Sequence, residues 1–196
     1  MSYSQKSNER GFTLVELVIG LAISLILMGV AVSMLNVQRK SYSFQEQVTE
    51  MQQNIRAATD MMVREIRMAG YDPSGAGFTG IGTHTTELLQ ILADLDGNGM
   101  TTGSYEDITY RYYNASDATY PRQIWRNTET ESQTLAENIE ALNFSYYDSD
   151  GVATSTASSI RQIEITIRGR TAKNDPDFGY SYGTLTSLVT PVNLGY

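Results

Sequence analysis

From Phe12 to Leu35 the sequence FTLVELVIGLAISLILMGVAVSML carries a single charge, at Glu16. At 1.5 Å per residue such a helix is long enough to cross about 30 Å of hydrocarbon. A cleavable secretory signal would have a shorter apolar core followed by a small-residue site, and neither is present before Asn36-Val37-Gln38-Arg39. The segment therefore reads as a membrane span. Lys6 and Arg10 precede it, and Arg39 and Lys40 follow it. Flanking charge alone sets no orientation when both ends are basic.

A plain anchor does not account for Glu16, because a carboxylate within a span costs up to about 3 kcal/mol at the centre and less near an end. Arg10-Gly11-Phe12-Thr13-Leu14-Val15-Glu16 resembles the prepilin processing motif of the type IV pilin family. That motif is a short polar leader ending in Gly, then Phe, then Glu at the fifth mature position. The resemblance implies that a prepilin peptidase cuts between Gly11 and Phe12 and N-methylates the Phe12 amine. It also implies that Glu16 pairs with the Phe12 amine of a neighbouring subunit during assembly, which offsets the burial of both charges.

Between Gly29 and Gly70 there is no Gly or Pro, and Phe44, Val48, Met51, Ile55, Ala58, Met62, Ile66 and Ala69 recur at spacings of three or four. The pattern predicts an amphipathic helix continuing the span, with Asp60 and Arg64 placed for an i,i+4 pair. Gly70-Tyr71-Asp72-Pro73 stops it, and 74–82 reads as a Gly-rich loop. Strands are predicted over 87–93, 107–113, 123–126, 142–147, 160–168 and 183–190, with 136–140 as a short helical turn or a strand edge. Alternation of Ile163, Ile165 and Ile167 with polar residues predicts an antiparallel sheet with one wet face.

The expected fold is α+β: the pilin fold, a long N-terminal helix with a membrane-spanning first half, packed on an antiparallel head. The expected organisation is a leader over 1–11, a membrane or filament-core helix over 12–35, an amphipathic helix over 36–70 and a head over 71–196. Met61-Met62-Val63-Arg64-Glu65-Ile66-Arg67-Met68-Ala69-Gly70-Tyr71-Asp72 and the later Asn138-Ile139-Glu140-Ala141-Leu142-Asn143-Phe144-Ser145-Tyr146 resemble the PilW-type minor pilins and the J-type pseudopilins of type II secretion. Two features depart from family patterns. No proline occurs before Pro73, whereas major pilins commonly carry one in the apolar segment. Val192 stands where an Arg usually precedes the Asn-Leu pair, here Asn193-Leu194.

The formal charge of −8 with no clustered Lys or Arg argues against a nucleic-acid partner. There is no cysteine, which excludes thiolate chemistry and disulfides, and one histidine, His84, read as a strand-edge or loop residue. Gly75-Ala76-Gly77-Phe78-Thr79-Gly80 spells GxGxxG but follows a helix and opens none, so it is not read as a dinucleotide site. The tyrosines Tyr105, Tyr110, Tyr112, Tyr113 and Tyr120, with Trp125, read as core and cross-strand pairs, or as an adhesive surface.

Asp94-Leu95-Asp96-Gly97-Asn98-Gly99-Met100 reproduces the first half of an EF-hand loop. Its candidate calcium ligands are Asp94, Asp96, Asn98 and the Met100 carbonyl. The twelfth position is Tyr105 rather than Glu, with Glu106 and Asp107 just beyond. The alternative is a turn between strands that binds nothing, and no other cofactor is expected. Asp148-Ser149-Asp150-Gly151 is a second turn of this style.

The expected function is that of a minor pilin, a structural and assembly-priming subunit of a type IV pilus, and not an enzyme. A type II secretion pseudopilin is the alternative, and a membrane-tethered binding domain or enzyme a distant third. Expected partners are other pilins through their N-terminal helices, the prepilin peptidase and the inner-membrane assembly platform. The expected location is the bacterial inner membrane, single-pass with the head outside the cytoplasm, and then the filament.

Overall fold

The computed structural model describes residues 11–195. The leader expected over 1–11 therefore lies outside the described residues except for Gly11. Two compact units divide the chain, one ending at Gln45 and the other starting at Glu46, and helix α1, Leu14–Arg67, contributes to both.

The first unit is the apolar half of α1. No Pro interrupts it, and the helix runs through Gly20 and Gly29 without a break. From Leu14 to Val37 its large side chains are exposed all round, as in a helix whose surroundings are lipid or other helices. By length and composition α1 is apolar enough to cross a membrane. Near its start the Ser24 hydroxyl donates to the Gly20 carbonyl at 2.7 Å.

In the second unit the remaining turns of α1 bury Met51, Ile55, Ala58, Met62 and Ile66 of the predicted stripe, with Thr59 beside them, whereas Phe44 and Val48 are half-buried and Ala69 is buried just past the end of the helix. Asp60 and Arg64 form no ion pair among the described residues. The helix ends as its C-terminal sequence dictates. Gly70 takes φ +76°, a left-handed conformation that suits Gly, and its N–H turns out of the helix to the Leu92 carbonyl at 2.9 Å.

The head holds two antiparallel sheets rather than the single sheet expected. The first is a meander of β1 (Ile81–His84), β2 (Leu88–Leu92), β3 (Asp107–Tyr113), β4 (Gln123–Thr128) and β5 (Ser132–Ala136), in that spatial order. The second orders β6 (Ile139–Tyr147), β7 (Gln162–Arg170) and β8 (Tyr182–Val189). β1 and β5 are additions to the sequence reading. The predicted loop over 74–82 ends in β1, and 136–140 is neither helix nor a single edge. Asn138, at φ +58°, turns the chain from the end of β5 into β6.

Alternation places Ile108, Tyr110, Tyr112, Ile124, Leu142, Phe144, Ile163, Ile165 and Ile167 in one core with the α1 stripe. Gly169 and Gly183 are opposed in the β7–β8 ladder. A Cβ at Gly169 would lie 2.8 Å from Ile55 Cδ1, and one at Gly183 2.9 Å from Met51 Cε. These glycines let α1 lie close on the second sheet. Of the tyrosines Tyr105, Tyr110, Tyr112, Tyr113 and Tyr120, Tyr110 and Tyr112 are buried. Tyr113, Tyr120 and Trp125 instead cluster half-buried on the other face, with Tyr120 and Trp125 ring centroids 4.2 Å apart.

Candidate functional site

At the start of α1 the chain folds into a capping box. The Thr13 N–H and hydroxyl both donate to Glu16 Oε2 at 2.9 Å, and the Glu16 N–H donates to Thr13 Oγ1 at 3.3 Å. Thr-x-x-Glu at a helix start satisfies orphan N–H groups reciprocally. Glu16 thus has a role inside its own chain that its place in the apolar run had not suggested. Phe12 is 88% exposed, and a Cβ built on Gly11 meets nothing within 4 Å. Nothing in the described fold demands glycine at position 11.

In the head, the 93–106 connection between β2 and β3 is organised by carboxylates. Asp94 is fully buried. Its Oδ1 accepts the N–H groups of Gly97 and Asn98 at 2.8 and 3.0 Å. Its Oδ2 accepts the Ser74 hydroxyl and the Gly99 N–H at 2.8 and 2.9 Å. Burial pushes this carboxyl up, but the four donors outweigh burial and hold it below the ordinary carboxylate range.

Glu106, 2% exposed, accepts the N–H groups of Leu95, Asp96 and Gly103 at 2.8, 3.1 and 2.6 Å. Carboxylate oxygens of Asp94, Asp96 and Glu106 all lie within 4.8 Å of one another. The acid that meets Asp94 and Asp96 is thus Glu106, one residue past the EF-hand position, which β3 pairing carries to the start of the loop. Asn98 points its chemistry elsewhere: its Oδ1 accepts the Met100 N–H at 2.7 Å and its Nδ2 donates to Asp96 at 3.0 Å. Asp72 organises the neighbouring Gly-rich segment in the same manner. The Gly77 N–H bond is the largest influence holding its carboxyl below the ordinary range, with Ser74, Gly75 and Ala76 as further donors.

A third constellation was not read from the sequence. Arg126, buried under Tyr105, places Nε 3.0 Å and Nη2 2.7 Å from the Glu65 carboxylate. Tyr110 donates its hydroxyl to the same carboxylate, and burial together with the Glu65 charge pushes that phenol far up. The signal lay in alternation, since Arg126 shares a face with Ile124 and Tyr110 with Ile108. His84 sits half-buried at the end of edge strand β1, with its ring nitrogens 3.0 Å from the carbonyls of Gly82 and Ser155.

A long apolar N-terminal helix joined to antiparallel sheets defines an α+β protein of the pilin fold. The chain also carries the prokaryotic N-terminal methylation motif, matched by a family model over residues 6–32, and this indicates a type IV pilin-like or pseudopilin protein. No curated protein matches the chain.

Proposed function

We propose that the chain is a minor pilin, a structural subunit that primes assembly of a type IV pilus after prepilin peptidase processing. The observation that carries the reading is the Gly11-Phe12 junction followed by Glu16 as the one charge of the apolar segment. Processing would release the Phe12 amine beside an exposed helix start. Pairing of that amine with Glu16 of a neighbouring subunit would compensate both charges in the filament core.

The same physics would serve a pseudopilin, and the PilW-like segment at 61–72 together with the absence of proline from the span supports a minor subunit. The head is proposed to be non-enzymatic. Its buried carboxylates are engaged with backbone N–H groups or with Arg126, and its one histidine faces two carbonyls.

Intact mass spectrometry of the protein from membranes tests the processing, with N-methyl-Phe12 expected as the first residue and an unmodified Met1 terminus as the refuting result. A deletion strain then separates the two assemblies. Loss of surface pili is expected for the minor pilin, whereas loss of protein secretion with pili intact would assign the chain to a pseudopilus.

A further inference from the structure

β5 ends the first sheet, with β4 on one side and, among the described residues, no strand on the other. The Thr128 N–H donates to the Glu131 carbonyl at 2.7 Å, so 128 and 131 form a hydrogen-bonded pair. The ladder continues as Asn127↔Ser132, Arg126↔Gln133 and Trp125↔Thr134. Antiparallel pairs alternate between bonded and non-bonded, so the N–H and C=O of Ser132 and Thr134 are directed away from β4. Both residues are exposed, neither carries a charge or proline that would blunt the edge, and the one register shift of β5 falls past them, between Thr134 and Ala136.

This edge borders a groove of about 560 Å³, walled by 134–138 on one side and by the Gln47-to-Ala57 face of α1 on the other, with Arg170 also lining it. Asn54 Nδ2 crosses to the Glu137 carbonyl at 2.9 Å. Two carboxylates and one guanidinium line the groove. The Arg170 guanidinium lies 3.3 Å from Glu140, which it shares with Arg122, and packs on the Tyr180 ring, while the Glu50 and Glu137 carboxylates have no cationic partner among the described residues.

We propose that the β5 groove takes an extended, Lys- or Arg-bearing peptide segment of a partner protein as a sixth strand of the first sheet. Backbone pairing to Ser132 and Thr134 supplies the attachment, and Glu50 and Glu137 select for basic side chains. Strand addition at an open edge is a recurring mode of peptide recognition. The site lies wholly in the head and does not depend on the filament reading.

The test uses the full-length protein in detergent micelles and an mRNA-displayed library of randomised five-residue segments between Gly-Ser flanks. Recovered segments are expected to alternate β-branched residues and to carry Lys or Arg. Their Kd is expected to rise about threefold with each of Glu50→Gln and Glu137→Gln, the scale of a partly exposed charge pair. Thr134→Pro removes one outward N–H in a place where edge strands tolerate proline and is expected to abolish binding, whereas Thr134→Val retains it. On the wild-type protein, amide hydrogen exchange at Thr134 is expected to slow when such a peptide binds, which decides the matter even if the proline variant fails to fold. Recovery of no segment, of acidic or helical segments only, or of segments whose binding leaves Thr134 exchange unchanged overturns the proposal.

Discussion

Arg126 and Glu65 form a forked ion pair inside the head, with the guanidinium 2% exposed and its Nη2 2.7 Å from Glu65 Oε1. It links β4 to the last turns of α1, and Tyr110 of β3 closes it. Removing one partner of a buried pair strands the other charge and costs about 3 to 5 kcal/mol, whereas replacing both with apolar groups can be close to neutral. Arg126→Leu is therefore expected to destabilise the protein strongly, and the triple variant Glu65→Met, Tyr110→Phe, Arg126→Leu, which leaves neither a charge nor the Tyr110 hydroxyl unpaired, to recover most of the loss. Urea unfolding of the single and triple variants measures both. Equal loss in the triple variant would show that packing, rather than stranded polar groups, dominates there.

The carboxyls of Asp72 and Asp94 are held below their ordinary value of 3.8 in the folded chain. A lowered folded pKa contributes stability that is complete above the unfolded value and is lost as pH falls through the folded one. Melting temperature is therefore expected to drop more steeply below about pH 4 in the wild type than in Asp72→Asn with Asp94→Asn. Parallel curves for the two proteins between pH 6 and 2 would show that these N–H contacts are not linked to global unfolding.

What the sequence disclosed followed its periodicities. The α1 stripe from Met51 to Ile66 and the alternation at Ile163, Ile165 and Ile167 read directly, because burial on one face repeats every 3.6 or every 2 residues. β5 did not, because Ser132-Gln133-Thr134 is an exposed edge whose side chains bury nothing and so leave no apolar rhythm. β1 was hidden by the glycines that precede it. Gly80 packs against the Gly70 backbone, where a Cβ would come within 2.3 Å, so a residue required for close packing looked like loop composition. At the acidic loop the Asp94 and Asp96 spacing was legible. The arrival of Glu106 was not, since it depends on β2–β3 register.

That register also bears on calcium. Each Asp94 oxygen already accepts two hydrogen bonds, which fills its lone pairs. The loop is therefore expected to hold its form without an ion, and millimolar calcium to leave the melting temperature unchanged. Glu106→Gln, which weakens three charge-assisted bonds to backbone N–H groups, is expected to lower stability by about 1 to 3 kcal/mol. A calcium-dependent rise in melting temperature that Asp96→Asn removes would instead establish a site at Asp94, Asp96 and Glu106.

Glu16 carries two roles that one pair of substitutions separates. The capping box requires a side-chain acceptor three residues after Thr13, which Gln supplies as Glu does. Pairing with a neighbour's Phe12 amine requires the charge. Glu16→Gln is therefore expected to keep the helix start, with the Thr13 amide still protected from hydrogen exchange in micelles, but to lose filament incorporation. Glu16→Leu is expected to lose both while inserting into membrane at least as well, because an apolar residue lowers the insertion cost. Membrane fractionation, amide exchange and co-purification with sibling subunits, in a strain lacking the wild-type copy, provide the readouts. Wild-type incorporation of Glu16→Gln would assign Glu16 to the cap alone and remove the charge-pairing step from assembly.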